Sequence, residues 1–226
     1  MNAKKFVAAL AEIRLPNVFN PYADQCDACD LDNAATVRRK NLMSYLKSVE
    51  ELEVDTIWMG RDLGYRGGRR TGLALTDESH LPHFAERYPG SAPKRATRGP
   101  MVAERTATEI WAAICALPQP PLLWNVFPFH PHEQDDEMTN RRFTSIELKL
   151  VDALNRELVS WLNIRRIICI GQDASKYASS FGVEVQCIRH PSYGGTSDFR
   201  AGVERLYGPV LRRVASAQAG LFKFGS

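Results

Sequence analysis

The residues whose types and spacing could do chemistry fall into a few groups. "HPHEQDDE" gathers His130, His132, Glu133, Asp135 and Asp136, ligand types that suit zinc or manganese. The spacing is wrong for a helix-borne metal pair, and acids beside a proline turn read as solvent-facing, so no metal is expected. Cys26 and Cys29 in "QCDAC" have the spacing of half a zinc or iron-sulfur site. No second pair completes it, and the two read as ordinary thiols of an N-terminal loop. "GRDLGYRGGRR" carries Arg61, Arg66, Arg69 and Arg70 on a glycine-rich stretch, which suits phosphate contact or merely a solvated charged loop. It has neither the Gly-x-Gly-x-x-Gly order nor the Gly-Lys-Ser/Thr ending of a nucleotide loop. A nucleophilic triad also fails, because no Gly-x-Ser-x-Gly elbow follows a strand and Ser192 lies too near His190. What remains is a carboxylate, Asp62, a carboxamide, Asn125, and an imidazole, His190, each at or just beyond the end of an apolar run.

Four such runs have the branched-residue content and loop boundaries of strands: Val54 to Gly60, Pro121 to Phe127, Arg165 to Gly171 and Val183 to Arg189. Helical patterns lie at Asn33 to Glu51, Thr106 to Leu117, Thr144 to Asn163, Asp173 to Gly182 and Asp198 to about Ala217. Strands that alternate with helices imply a parallel sheet covered on both faces, with ligands bound beyond the C-terminal strand ends. A length of 226 residues with 44% hydrophobic and 24% charged composition supports one domain across the whole chain. No apolar window approaches the roughly 18 residues of a membrane span, and no secretory signal pattern opens the chain. A soluble, cytoplasmic monomer is expected. The other cysteines, Cys115, Cys169 and Cys187, sit in apolar runs and read as core.

At these positions the chain resembles the uracil-DNA glycosylase superfamily. "GRDLG" followed by "RTGLALT" resembles its first motif, Asn125 in "LLWN" its strand-end asparagine, and "HPS", His190 to Ser192, its His-Pro-Ser motif. "TNRRFTSIE" is similar to a loop of the iron-sulfur branches, but the second cysteine pair of those branches is missing. The resemblance spans Val54 to Tyr193 and implies a three-layer α/β/α domain with a central four-stranded parallel sheet, acting on uracil in DNA without metal or other cofactor.

Cleavage of an N-glycosidic bond builds positive charge on the sugar and negative charge on the departing base, and fixed charges on either side lower that barrier. The resemblance makes Asp62 the carboxylate that stabilises the sugar cation and positions water, and His190 the donor to uracil O2. It makes Asn125 the reader of O4 and N3–H, disfavouring cytosine. Gly60, Arg61, Tyr65, Leu75 and Phe127 are expected around the base, with Phe129 helping to wall the pocket. Arg66, Arg69, Arg70, Ser192 and Tyr193 are expected on the DNA, Tyr193 as a wedge beside the flipped base. Two departures stand out. Gly64 occupies the place of a tyrosine that blocks the thymine methyl, with Tyr65 one residue later; Leu75 occupies the place of the stacking phenylalanine, a role open also to Tyr65, Phe84 or Phe127. A binder of uracil or abasic sites with weak turnover, and a metal-dependent hydrolase built on the His130 loop, are the competing readings.

Overall fold

A computed structural model of the chain describes residues 1–211. The apolar runs form four parallel strands, β2 (Thr56–Asp62), β3 (Leu122–Phe127), β5 (Arg166–Ile170) and β6 (Glu184–Ile188), in the order β3-β2-β5-β6. Two two-residue strands, β1 (Val18–Phe19) and β4 (His130–Pro131), pair antiparallel outside this sheet and are too short to show in any alternation pattern. The helices are α1 (Ala3–Glu12), α2 (Ala34–Glu51), α3 (Gly68–Thr71), α4 (Leu81–Arg87), α5 (Arg105–Ala116), α6 (Ser145–Trp161), α7 (Gln172–Ala178) and α8 (Thr196–Tyr207). This is the expected three-layer α/β/α arrangement, with α6 packed on β3, α7 on β5 and β6, and α8 on β6. Among the described residues no helix is long and apolar enough to cross a membrane.

Local chemistry explains the boundaries. Thr144 and Glu147 form a reciprocal capping box: the Glu147 N–H donates to Thr144 Oγ1 at 3.2 Å and the Thr144 N–H to Glu147 Oε2 at 2.6 Å. Such a cap is worth about 1 kcal/mol and fixes where α6 starts. The last helix departs from its expected span. α8 ends at Tyr207, because Gly208 (φ +78°) leaves the helical region and Pro209 cannot supply the next amide; the expected residues 212–217 lie outside the described residues.

The interior is closed by aromatic side chains whose polar handles are satisfied. Trp124 Nε1 donates to Asn155 Oδ1 at 2.9 Å, and Asn155 Nδ2 donates on to the Val126 carbonyl at 2.7 Å. Trp111 Nε1 donates to Thr76 Oγ1 at 3.1 Å, which ties α5 to the loop after α3. The cysteine reading needs one correction. Cys169 is buried and Cys187 half-buried, but Cys115 is exposed, since Trp111 and Ile114 take the inner face of α5 and turn Cys115 outward.

Register places the chemistry. Gly60 on β2 lies beside Asn125 on β3, and Asp62, the last residue of β2, lies beside Phe127. His190 follows β6 by two residues.

Candidate active site

Asp62, Asn125 and His190 line one open cleft of about 730 Å³ at the C-terminal ends of the strands. This is where a parallel sheet presents ligands. Gly60, Arg61, Leu75, Ser192 and Tyr193 line it too, together with Glu104, Asn140, Arg142, Asp173 and Arg189.

Asn125 is 1% exposed, and its Oδ1 is buried without a hydrogen-bond partner. An orphaned buried acceptor costs about 1–3 kcal/mol, a cost that a ligand N–H in the cleft would remove. Gly60 makes room for it: a Cβ at residue 60 would stand 2.4 Å from Asn125 Oδ1 and 2.9 Å from Leu75 Cδ2. Leu75 holds a left-handed backbone (φ +55°), unusual for a bulky side chain, and thereby presents its apolar end to the same space.

Asp62 is 9% exposed and gripped by its neighbour, Arg61 Nε donating to Oδ2 at 2.6 Å and Nη2 to Oδ1 at 3.3 Å. Burial raises the Asp62 pKa, the Arg61 guanidinium pulls it back, and the balance stays above the usual aspartate value. Arg61 also reaches Asp173 at 3.6 Å, and Asp173 meets the exposed Arg142 at 3.5 Å, so charges of alternating sign run from the surface to Asp62.

The state of His190 follows from its contacts. The Ser192 backbone N–H, which can only donate, points at Nδ1 at 3.2 Å, with Ser192 Oγ at 2.8 Å from the same nitrogen. Nδ1 is therefore the acceptor, and a neutral ring carries its proton on Nε2. Burial holds the His190 pKa below the usual histidine value, and the Arg189 and Arg61 charges push it down further. The result is a neutral imidazole with one N–H to offer. Ser192, expected on the DNA, instead spends its hydroxyl on orienting this ring.

Other expected residues stand elsewhere. Arg69 is 2% exposed, with its guanidinium 3.8 Å over the Phe19 ring, paired to Glu137 at 2.8 Å and placed 3.1 Å from His130 Nδ1. Arg70 pairs with buried Glu78 at 3.1 Å and donates to Thr97. Both arginines tie loops together: Arg69 is itself buried and Arg70 is held by buried Glu78, so neither reaches a phosphate without breaking its pair. Tyr65 lies outside the cleft lining: its backbone N–H donates to Asn140 Oδ1 at 3.1 Å, and its hydroxyl accepts from the exposed Arg66 at 2.9 Å. Phe84, Phe127 and Phe129 are fully buried core residues, Phe127 packing on Phe129 and Phe143, so none of them walls the cleft.

The His130 turn is architecture: His130 and His132 are buried, while Glu133, Asp135 and Asp136 face solvent as expected. Since Arg69 can only donate, His130 Nδ1 accepts, and Nε2 donates to the Thr139 carbonyl at 2.7 Å; burial and Arg69 lower its pKa to about 4. Among the described residues no group of three or more His, Cys, Asp or Glu is arranged to hold a metal ion. Sequence reasoning missed Glu104 and Asn140 in the cleft. Glu104 lies far in sequence from every recognisable motif, and Asn140 sits in the "TNRRFTSIE" loop with no role attached to it; only the fold brings the two into the cleft.

With a four-stranded parallel sheet, flanking helices and a cleft at the strand ends, the chain has a fold of the uracil-DNA glycosylase kind. It superposes on the crystal structure of wild-type SMUG2 from Pedobacter heparinus with a TM-score of 0.62, covering 96% of this chain and 98% of that one at 13% identity. No family model matches the sequence. No curated protein matches it either.

Proposed function

We propose that this protein is a monofunctional uracil-DNA glycosylase that flips uracil from DNA, hydrolyses its glycosidic bond and so begins base excision repair. One observation carries the reading: the buried, unpartnered Oδ1 of Asn125 opens into a cleft that also holds a buried carboxylate and a neutral histidine with a free N–H. Asn125 Oδ1 accepts from uracil N3–H, and the carboxamide N–H meets O4. As the C1′–N1 bond breaks, its electron pair moves onto the base, and His190 Nε2–H donates to the O2 that gathers the charge. Asp62 faces the sugar cation, orients the water whose oxygen attaches to C1′ and takes up the proton that this water loses. Among the described residues lining the cleft there is no lysine, which favours water over an amine as nucleophile.

Similarity of fold to SMUG2 and the order of the three motifs support the same reading. Tyr193, 97% exposed at φ +50° on the loop after His190, is the wedge that fills the vacated stack. Arg142 and Arg189 on the cleft, with exposed Arg66, rather than Arg69 and Arg70, meet the phosphates.

The test is single-turnover release of uracil from a labelled oligonucleotide, with and without chelator. Wild type is expected to cleave regardless of chelator. Asp62→Asn and His190→Ala are expected to lose orders of magnitude in rate while remaining folded, and near-normal rates in both would sink the assignment. Asn125→Asp is expected to relax the preference against cytosine. A second reading, a uracil- or abasic-site binder with weak turnover, is favoured by one feature: Arg61 occupies both oxygens of Asp62. Tight binding without cleavage would select it.

A further inference from the structure

Glu104 is a cleft residue that no motif and none of the chemistry above employs. It stands at the N-cap of α5, yet its side chain makes no capping bond; its backbone N–H donates to Asp77 Oδ2 at 2.6 Å and its carboxyl turns into the cleft. The glycines of the first motif make space for that turn. A Cβ on Gly67 would fall 2.4 Å from Glu104 Oε2, and a Cβ on Gly64 would lie 3.7 Å from Oε1 and 3.9 Å from Asn140 Oδ1. The carboxyl accepts no hydrogen bond from any described residue, and Asn140 Oδ1 is already taken by the Tyr65 N–H. Burial raises the Glu104 pKa, the nearby Asp77 charge adds to the effect, and the Arg66 charge opposes it without cancelling it.

A pyrimidine seated as proposed has its sides assigned in turn: N1 to the sugar, O2 to His190, and N3 and O4 to Asn125. The C5 edge is the side left without a partner, and Gly64 and Glu104 line the same cleft. We propose that Glu104 sets base choice at this edge: its unbonded carboxyl rejects a C5 methyl, which would displace the carboxyl's water and return no hydrogen bond. Gly64 brings no side chain of its own to this edge, and the polar oxygens of Glu104 and Asn140 stand just beyond it, so the barrier is desolvation of a polar group. Such a penalty is worth on the order of tenfold to a hundredfold in affinity. The inference rests on the base-reading site proposed above.

Binding of oligonucleotides carrying one 2′-fluoro uracil, thymine or cytosine nucleotide, which resist hydrolysis, tests it without relying on turnover. Wild type is expected to prefer uracil and to hold thymine no better than cytosine. Glu104→Leu is expected to raise thymine above cytosine by about tenfold. Should that variant fail to fold, the near-isosteric Glu104→Gln carries the test: moving from mildly alkaline to mildly acid pH should lift thymine relative to cytosine in wild type, as the carboxyl takes up its proton, and not in Glu104→Gln. Thymine held at the cytosine level in Glu104→Leu, or a wild-type ratio indifferent to pH, would overturn the role of Glu104 while leaving the uracil preference intact. Loss of wild-type preference for uracil over cytosine would overturn the base-reading site itself.

Discussion

Replacing Arg61 with glutamine isolates the electrostatics of Asp62. In the folded protein Arg61 holds the two carboxylate oxygens at 2.6 and 3.3 Å, and the Asp62 side chain is only 9% exposed. Burial already lifts the Asp62 pKa, and Arg61 is foremost among the groups that oppose the lift. An opposite charge at contact distance in such a site is worth about one to three pH units. Hydrolysis needs the ionised carboxylate, so removing Arg61 moves the acid limb of the rate profile toward neutral pH. At a fixed pH on that limb the lower estimate already means about tenfold less rate, recovered on the alkaline plateau. A second effect has the same sign. Arg61 also lowers the His190 pKa, so its loss lets the imidazole protonate at higher pH. Making Arg61→Gln in a His190→Asn background separates the two, because only the carboxylate then titrates. The assay is single-turnover uracil release from mildly acid to mildly alkaline pH. An acid limb that does not move in the double variant would refute the view that Arg61 keeps Asp62 ionised.

Three further outcomes follow from the packing. Gly60→Ala should fold but place a methyl against Asn125 Oδ1 and Leu75, and uracil release should drop by on the order of a hundredfold, as expected for a reading group displaced by about 1 Å; single-turnover rates and a Tm separate the site effect from misfolding. Arg142→Gln should reduce the slope of log affinity against log salt by about one, and Arg69→Gln should leave that slope alone while lowering Tm, since Arg69 is committed to Glu137 and Phe19. Glu78, with a side chain 1% exposed, is held below the usual glutamate pKa: burial would raise it, but Thr97, the Val102 N–H, Arg70 and Arg95 outweigh that. A lowered folded pKa gives stability that is present above the unfolded value of 4.5 and lost as pH falls through the folded one, so Tm should decline on acidification from that point. Glu78→Gln should cost about 3 kcal/mol or more in urea unfolding at neutral pH and flatten that decline.

The strands and their order of function were legible because each of β2, β3, β5 and β6 is a branched, apolar run bounded by loop residues, and a parallel sheet leaves little choice about where ligands bind. Asp62, Asn125 and His190 could be picked out for the same reason: each stands at or just past the end of such a run. The failures have a common cause. Phe127 and Asn125 are two apart on one strand, and by alternation they face the same side. Asn125 nevertheless opens on the cleft, while the rings of Phe129 and Phe143 enclose Phe127. Whether an aromatic near a motif walls a pocket or seals the core depends on partners supplied by distant segments. Glu104 comes from such a segment and carried no local signal, while Asn140 lay in the "TNRRFTSIE" loop with nothing local to give it a role.

The arginines make the same point about charge. "GRDLGYRGGRR" advertises a basic loop, yet the fold spends most of that charge internally: Arg69 on Glu137, Arg70 on Glu78 and Arg61 on Asp62 and Asp173. Counting basic residues therefore overstates the surface available for phosphate. The internal pairs have a use. They brace the stretch from the end of β2 to α4, which carries Gly60, Asp62 and Leu75, against loops at Thr97 and Glu137. Reading a base by a single carboxamide needs positions fixed to a fraction of an ångström, and a glycine-rich stretch alone would not give that. These ion pairs, with Arg69 and Glu78 buried, supply the rigidity that the glycines remove. Under the proposed function, close approach of backbone to base and a fixed geometry would thus come from one segment, with Arg142 and Arg189 on the cleft left free for DNA.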